Sequence, residues 1–95
     1  MTLTLMWEAR AVDGRGAELL SWARAQPLPS DPAPLRRETF TATGDRVLVL
    51  TWWDAADGAE VPELPAPPAD LLARPVHRWR FTSVEVAGEA WRRCG

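Results

Sequence analysis

The chain has 95 residues, enough for one domain. All eleven basic residues are arginine, Lys, Tyr, Asn and Ile are absent, and His77 and Cys94 are the sole His and Cys. This excludes Schiff-base and P-loop lysine chemistry, and it excludes a His/Cys zinc site within one chain.

Other classes fall away on charge and pattern. A formal net charge of −2 argues against nucleic acid as the partner, because phosphate neutralisation needs a basic surface. No apolar run nears the roughly 20 residues that cross a bilayer, so no membrane is expected. The start of the chain alternates Thr and Leu with no basic region, so no signal peptide is expected. A lone Cys fits a reducing cytoplasm. Heavy use of Ala, Arg, Pro and Gly, with Lys, Asn, Ile and Tyr missing, fits a GC-rich bacterial genome. Ser21, Ser30 and Ser83 lack a nucleophile-elbow setting, and Gly14 and Gly16 lack the third glycine of a dinucleotide fingerprint.

In chain order, residues 3–11 read as a strand. Leu3, Leu5, Trp7, Ala9 and Ala11 alternate with Thr4, Met6, Glu8 and Arg10. Asp13, Gly14, Arg15 and Gly16 make a turn that opens a helix over 17–26, with Leu19, Leu20 and Ala23 on one stripe and Trp22 beside it. Pro27 and Pro29 end that helix. Residues 35–43 read as a second strand, Gly44–Asp45 as a two-residue hairpin turn, and 46–53 as a third strand. The third strand is apolar on both faces, the mark of a central strand covered on both sides. A Pro-rich connection over 54–68 follows, then one or two helical turns around Leu71 and Leu72. Residues 76–86 read as a fourth strand, with His77, Trp79 and Phe81 on one face and Arg78, Arg80 and Thr82 on the other. The tail, residues 87–95, reads as loop or a frayed helical turn.

Strand, helix, strand, strand, short helix, strand is the α+β, ferredoxin-like βαββαβ order, here with a second helix that is short or irregular. The helical crossover makes the first and third strands neighbours, and they are expected to run parallel within an otherwise antiparallel sheet. Helices cover one sheet face in such a fold. The other face is still apolar, so a second copy packed sheet to sheet is expected, giving a homodimer.

The opening strand, the Gly-containing turn leading into Glu18-Leu19-Leu20-Ser21-Trp22, the hairpin ending in Thr51-Trp52-Trp53-Asp54, and Arg74-Pro75-Val76-His77-Arg78-Trp79 together resemble the dimeric α/β-barrel superfamily. Within it, they resemble the antibiotic biosynthesis monooxygenase-like proteins, over about residues 2–87. The resemblance implies two ferredoxin-like subunits whose sheets form a barrel, with a pocket between each sheet and its helices. It implies a monooxygenase-like oxidoreductase that needs no cofactor and acts on an aromatic metabolite; other relatives degrade haem. Members of the first kind use Asn, Trp and Tyr around the substrate, and the haem-degrading branch uses an Asn with a Trp and a His. This chain has neither Asn nor Tyr. A non-catalytic ligand-binding or structural dimer of the same fold is the alternative.

Four tryptophans, Trp7, Trp52, Trp53 and Trp79, fall on predicted strands. Trp52, Trp53 and Trp79 are candidates for holding a small aromatic ligand, or for filling a core and a dimer interface. Trp52 and Trp53 are adjacent and must point to opposite faces. His77 is the candidate proton-handling residue, because imidazole ordinarily titrates near neutrality; otherwise it sits at the strand mouth bonded to a backbone carbonyl. Arg36, Arg37, Arg78 and Arg80 lie on two edge strands, where they either protect the edges or bind an acidic ligand. Asp54 and Asp57 read as turn caps. No set of carboxylates has metal-ligand spacing.

Overall fold

The computed structural model describes residues 2–56 and 58–88. Asp57 and the tail residues 89–95, Cys94 among them, lie outside the described residues. Four strands and one α-helix are present: β1 (Thr2–Arg10), α1 (Gly16–Ala25), β2 (Arg36–Ala42), β3 (Arg46–Asp54) and β4 (His77–Thr82). The predicted second helix is a single 3-10 turn, Ala69–Leu71.

The sheet order is β2-β3-β1-β4, and every pairing is antiparallel. The expected parallel pairing of the first and third strands is therefore corrected. The crossover through α1 sets β2 parallel to β1, and β3 hairpins back into the gap between them, antiparallel to both. The molecule is an α+β domain with a four-stranded antiparallel sheet, an arrangement compatible with a ferredoxin-like fold. As expected, β3 is central and β2 and β4 are edges.

The turn between β2 and β3 has three residues. Ala42 pairs with Arg46, leaving Thr43, Gly44 and Asp45 in the loop. Gly44 and Asp45 both have positive φ, at 81° and 59°. An extra left-handed residue is how a three-residue hairpin closes without splaying its strands.

β4 is shorter than its apolar pattern suggests. It pairs only with β1, and the Ser83 amide donates to the Thr2 carbonyl at 2.9 Å. Val84 is left 94% exposed.

The core lies between the sheet and α1. The odd-numbered residues of β1 and β3 face it, and Leu3, Trp7, Val47, Val49 and Trp53 are buried there. From α1, Leu19 and Ala23 complete the layer. Each fully buried Leu or Val contributes roughly 1.5–3 kcal/mol. The ten-residue α1 covers only part of the sheet. Leu28, Val61, Leu64 and Leu71, from irregular segments, cover the rest. The Trp7 indole stacks on Trp22 at 6.2 Å between centroids and donates its N–H to the Pro65 carbonyl.

Candidate functional site

The even-numbered residues of β1 and β3 face away from the helix, and their register with the edge strands builds three rungs across the sheet. Arg36, Trp52, Thr4 and Phe81 make the first. Glu38, Leu50, Met6 and Trp79 make the second. Phe40, Leu48, Glu8 and His77 make the third. This face is apolar through Leu48, Leu50, Met6 and Trp52, with Arg36 and Glu38 on the β2 edge, Phe81, Trp79 and His77 on the β4 edge, and Glu8 on β1 between them. Leu48, Leu50, Trp52 and Met6 are half-buried, while Trp79 is 65% and Phe81 48% exposed.

Trp52, Trp79 and His77 therefore share the open face, and Trp53 does not. Trp53 lies on the helix side, 2% exposed, and its indole N–H donates to Thr51 Oγ1 at 2.9 Å. The adjacent tryptophans do point to opposite faces. Trp52 and Trp79 are two strands and one rung apart, roughly 10–12 Å, so they flank a surface and do not stack on one ring. Trp52 lies under the Arg36 guanidinium, 5.6 Å from the ring centre, and Arg36 also bonds Glu38 at 2.9 Å.

At the other edge, Arg74 Nη2 donates to Glu8 Oε1 at 2.6 Å, and His77 Nδ1 lies 3.6 Å from the same oxygen. The Arg74 guanidinium holds the Glu8 carboxyl below the usual carboxylate range, against partial burial that pushes it up. His77 is itself 63% exposed. The imidazole and the carboxylate are thus neighbours on the open face, without a direct hydrogen bond between them. Sequence spacing alone did not link Glu8 to His77, since 69 positions separate them and only the β1–β4 register sets them opposite each other.

The other edge-strand arginines are engaged on the helix side. Arg37 donates to the Gln26 and Ala23 carbonyls at 2.7 and 2.8 Å. Arg78 donates to the Leu64 carbonyl at 2.7 Å, and Arg80 donates to the Ala59 carbonyl. These three hold loops and a helix end to the sheet. Arg36 alone of the four lies on the open face.

The space between sheet and helix, where the resemblance implies a pocket, is occupied by the chain's own side chains. Trp7, Trp53, Leu19 and Leu64 are each no more than 3% exposed. One surface depression of about 440 Å³ lies on α1, lined by Ala17, Leu20, Ser21, Arg24 and Ala25. Among the described residues, no three His, Cys, Asp or Glu side chains gather in a metal-binding group, and no helix is long and apolar enough to cross a membrane. Comparison with known proteins finds no matching family model, no matching curated protein and no matching solved structure.

Proposed function

We propose that the chain acts as a homodimer of ferredoxin-like subunits joined sheet to sheet, in the manner of the dimeric α/β-barrel proteins, and that it serves as a non-catalytic binding or structural dimer in the cytoplasm. The antiparallel order β2-β3-β1-β4 supports the subunit fold, with the 3-10 turn at Ala69–Leu71 in the place of a second helix. The observation that carries the reading is the open face. Leu48, Leu50, Met6, Trp79 and Phe81 form one continuous apolar surface, and such surfaces in stable proteins are covered by a partner. A twofold axis through this face would let each copy cover the other. The filled space between sheet and helix favours a binding or structural role over catalysis in a subunit pocket.

Sedimentation at micromolar concentration tests this. The expected result is a dimer that Leu50→Arg converts to a folded monomer. A wild-type monomer would overturn the reading.

A second reading is favoured by the Glu8–His77 contact. An exposed histidine 3.6 Å from a carboxylate, on a face that also carries Trp52 and Trp79, suits a monooxygenase-like enzyme that handles a proton on an aromatic metabolite. Trp53, buried on the opposite face, would support the sheet in that scheme. Oxygen uptake with a panel of phenolic polycycles decides it. The enzyme reading predicts uptake that His77→Ala abolishes, and uptake unchanged in that variant removes His77 from the chemistry.

A further inference from the structure

Residues 58–63 cross the helix side of the sheet, over Leu3, Leu5 and Trp53. Among the described residues, no backbone–backbone hydrogen bond joins this stretch to the sheet. Pro62 has no amide to donate. Among the described residues, a side-chain bond from Arg80 to the Ala59 carbonyl and the apolar contact of Val61 with the Leu3–Leu5–Trp53 cluster hold it down. Glu63 lies 3.7 Å from Arg78, but both side chains are partly solvated, and such pairs add little.

The stretch is bounded on each side. Gly58 stands at φ 88°, a backbone state that glycine adopts without strain. On the far side the chain is anchored. Leu64 is buried, its carbonyl accepts from Arg78, and the Pro65 carbonyl accepts from Trp7. Segments with few buried contacts and few backbone bonds open at lower free energy than the rest of a domain.

We propose that residues 58–63 form a flap that opens independently of the sheet, and that the floor beneath it accepts a flat, apolar ligand. The floor is Leu3, Leu5 and Trp53, with Leu28 and Ala55 at its margins. The Trp53 indole N–H is already satisfied by Thr51, so the uncovered floor asks for no polar partner. Shape and apolar area would select the ligand, and an aromatic hydrocarbon ring fits both demands. This inference does not depend on the dimer.

Hydroxyl-radical footprinting, resolved residue by residue, tests it, with Trp7 as the internal control. In the wild-type protein Trp53 should be oxidised without denaturant, while Trp7 should react only as the whole domain unfolds. Val61→Ser with Arg80→Gln should raise Trp53 oxidation roughly tenfold, the effect of one lost apolar contact and one lost hydrogen bond, and should leave Trp7 protected. Adding 2-naphthol to that variant should then protect Trp53 relative to Trp79. If Trp53 and Trp7 become reactive together, there is no independent flap. If the variant exposes Trp53 but 2-naphthol gives no protection, the floor is not a binding site. If the variant does not fold, the wild-type comparison of Trp53 with Trp7 decides the flap, and 2-naphthol added to the wild-type protein, protecting Trp53 relative to Trp79 or failing to, decides the floor.

Discussion

Asp45 and Gly16 are locked together across 29 positions. Asp45 Oδ1 accepts the Gly16 amide at 3.2 Å, and Oδ2 accepts the Gly14 amide at 2.9 Å. The first turn of α1 thus takes its cap from the β2–β3 hairpin, since Arg15, the residue at the cap position, makes no side-chain cap bond. A carboxylate here satisfies orphan amides and opposes the positive end of the helix dipole. A Cβ on residue 16 would meet Oδ1 at 2.6 Å and the Asp45 Cα at 3.0 Å. Gly16→Ala should therefore cost about 1–3 kcal/mol by overpacking, although alanine normally favours a helix. Asp45→Ala should cost about 1–2 kcal/mol as a lost cap. Urea unfolding measures both, and a stabilised Gly16→Ala would show that the hairpin yields freely.

The other end of α1 depends on Arg37. Its guanidinium fork reaches the Ala23 and Gln26 carbonyls, and a cation there complements the negative end of the dipole. Arg37→Met keeps most of the apolar stem and removes both bonds. The expected loss is about 1–2 kcal/mol in thermal unfolding followed by circular dichroism, with Arg37→Lys intermediate because ammonium lacks the planar fork. Equal stability of the Met variant and the wild type would remove this role.

These two contacts also mark what the amino-acid order made legible. The alternation in β1 and β3, the helix stripe and the opposition of Trp52 to Trp53 are local periodicities, and they are present as read. Strand direction is not local. The first and third strands were expected parallel because a crossover was placed between the wrong pair; it joins β1 to β2. The roles of Asp45, Arg37, Arg78 and Arg80 depend on loops that fold back from far along the chain, and residue type alone fits a ligand contact equally well. The Glu8–His77 pair was hidden for the same reason.

Thr51 and Trp53 supply a test of the core. They sit two residues apart on one strand face, both buried, and the Thr51 hydroxyl is the partner of the indole N–H. Thr51→Val preserves shape and removes the acceptor. An unsatisfied buried donor costs about 1–3 kcal/mol, so the variant should lose stability despite its greater hydrophobicity. Trp53→Phe in the Thr51→Val background removes the orphan donor, so the double variant should lose less than the sum of the two single changes. Strict additivity in that cycle would show that the bond contributes nothing.

Glu8 and Arg74 make acid stability predictable in sign. Arg74 holds the Glu8 carboxyl below its ordinary range, and both side chains are partly buried, at 24% and 29% exposed. The folded state therefore binds this proton less readily than the unfolded chain, where a Glu titrates near about 4.3. The pair contributes its full stability above that value and loses it as pH falls through the lower folded value. Glu8→Gln should cost about 1 kcal/mol at pH 7, and the gap between variant and wild type should close in strong acid. Urea unfolding at neutral pH, near pH 5 and below pH 3 measures the gap. A difference that stays constant across that range would mean that the Glu8 charge, and with it the Arg74 pairing, does not stabilise the fold.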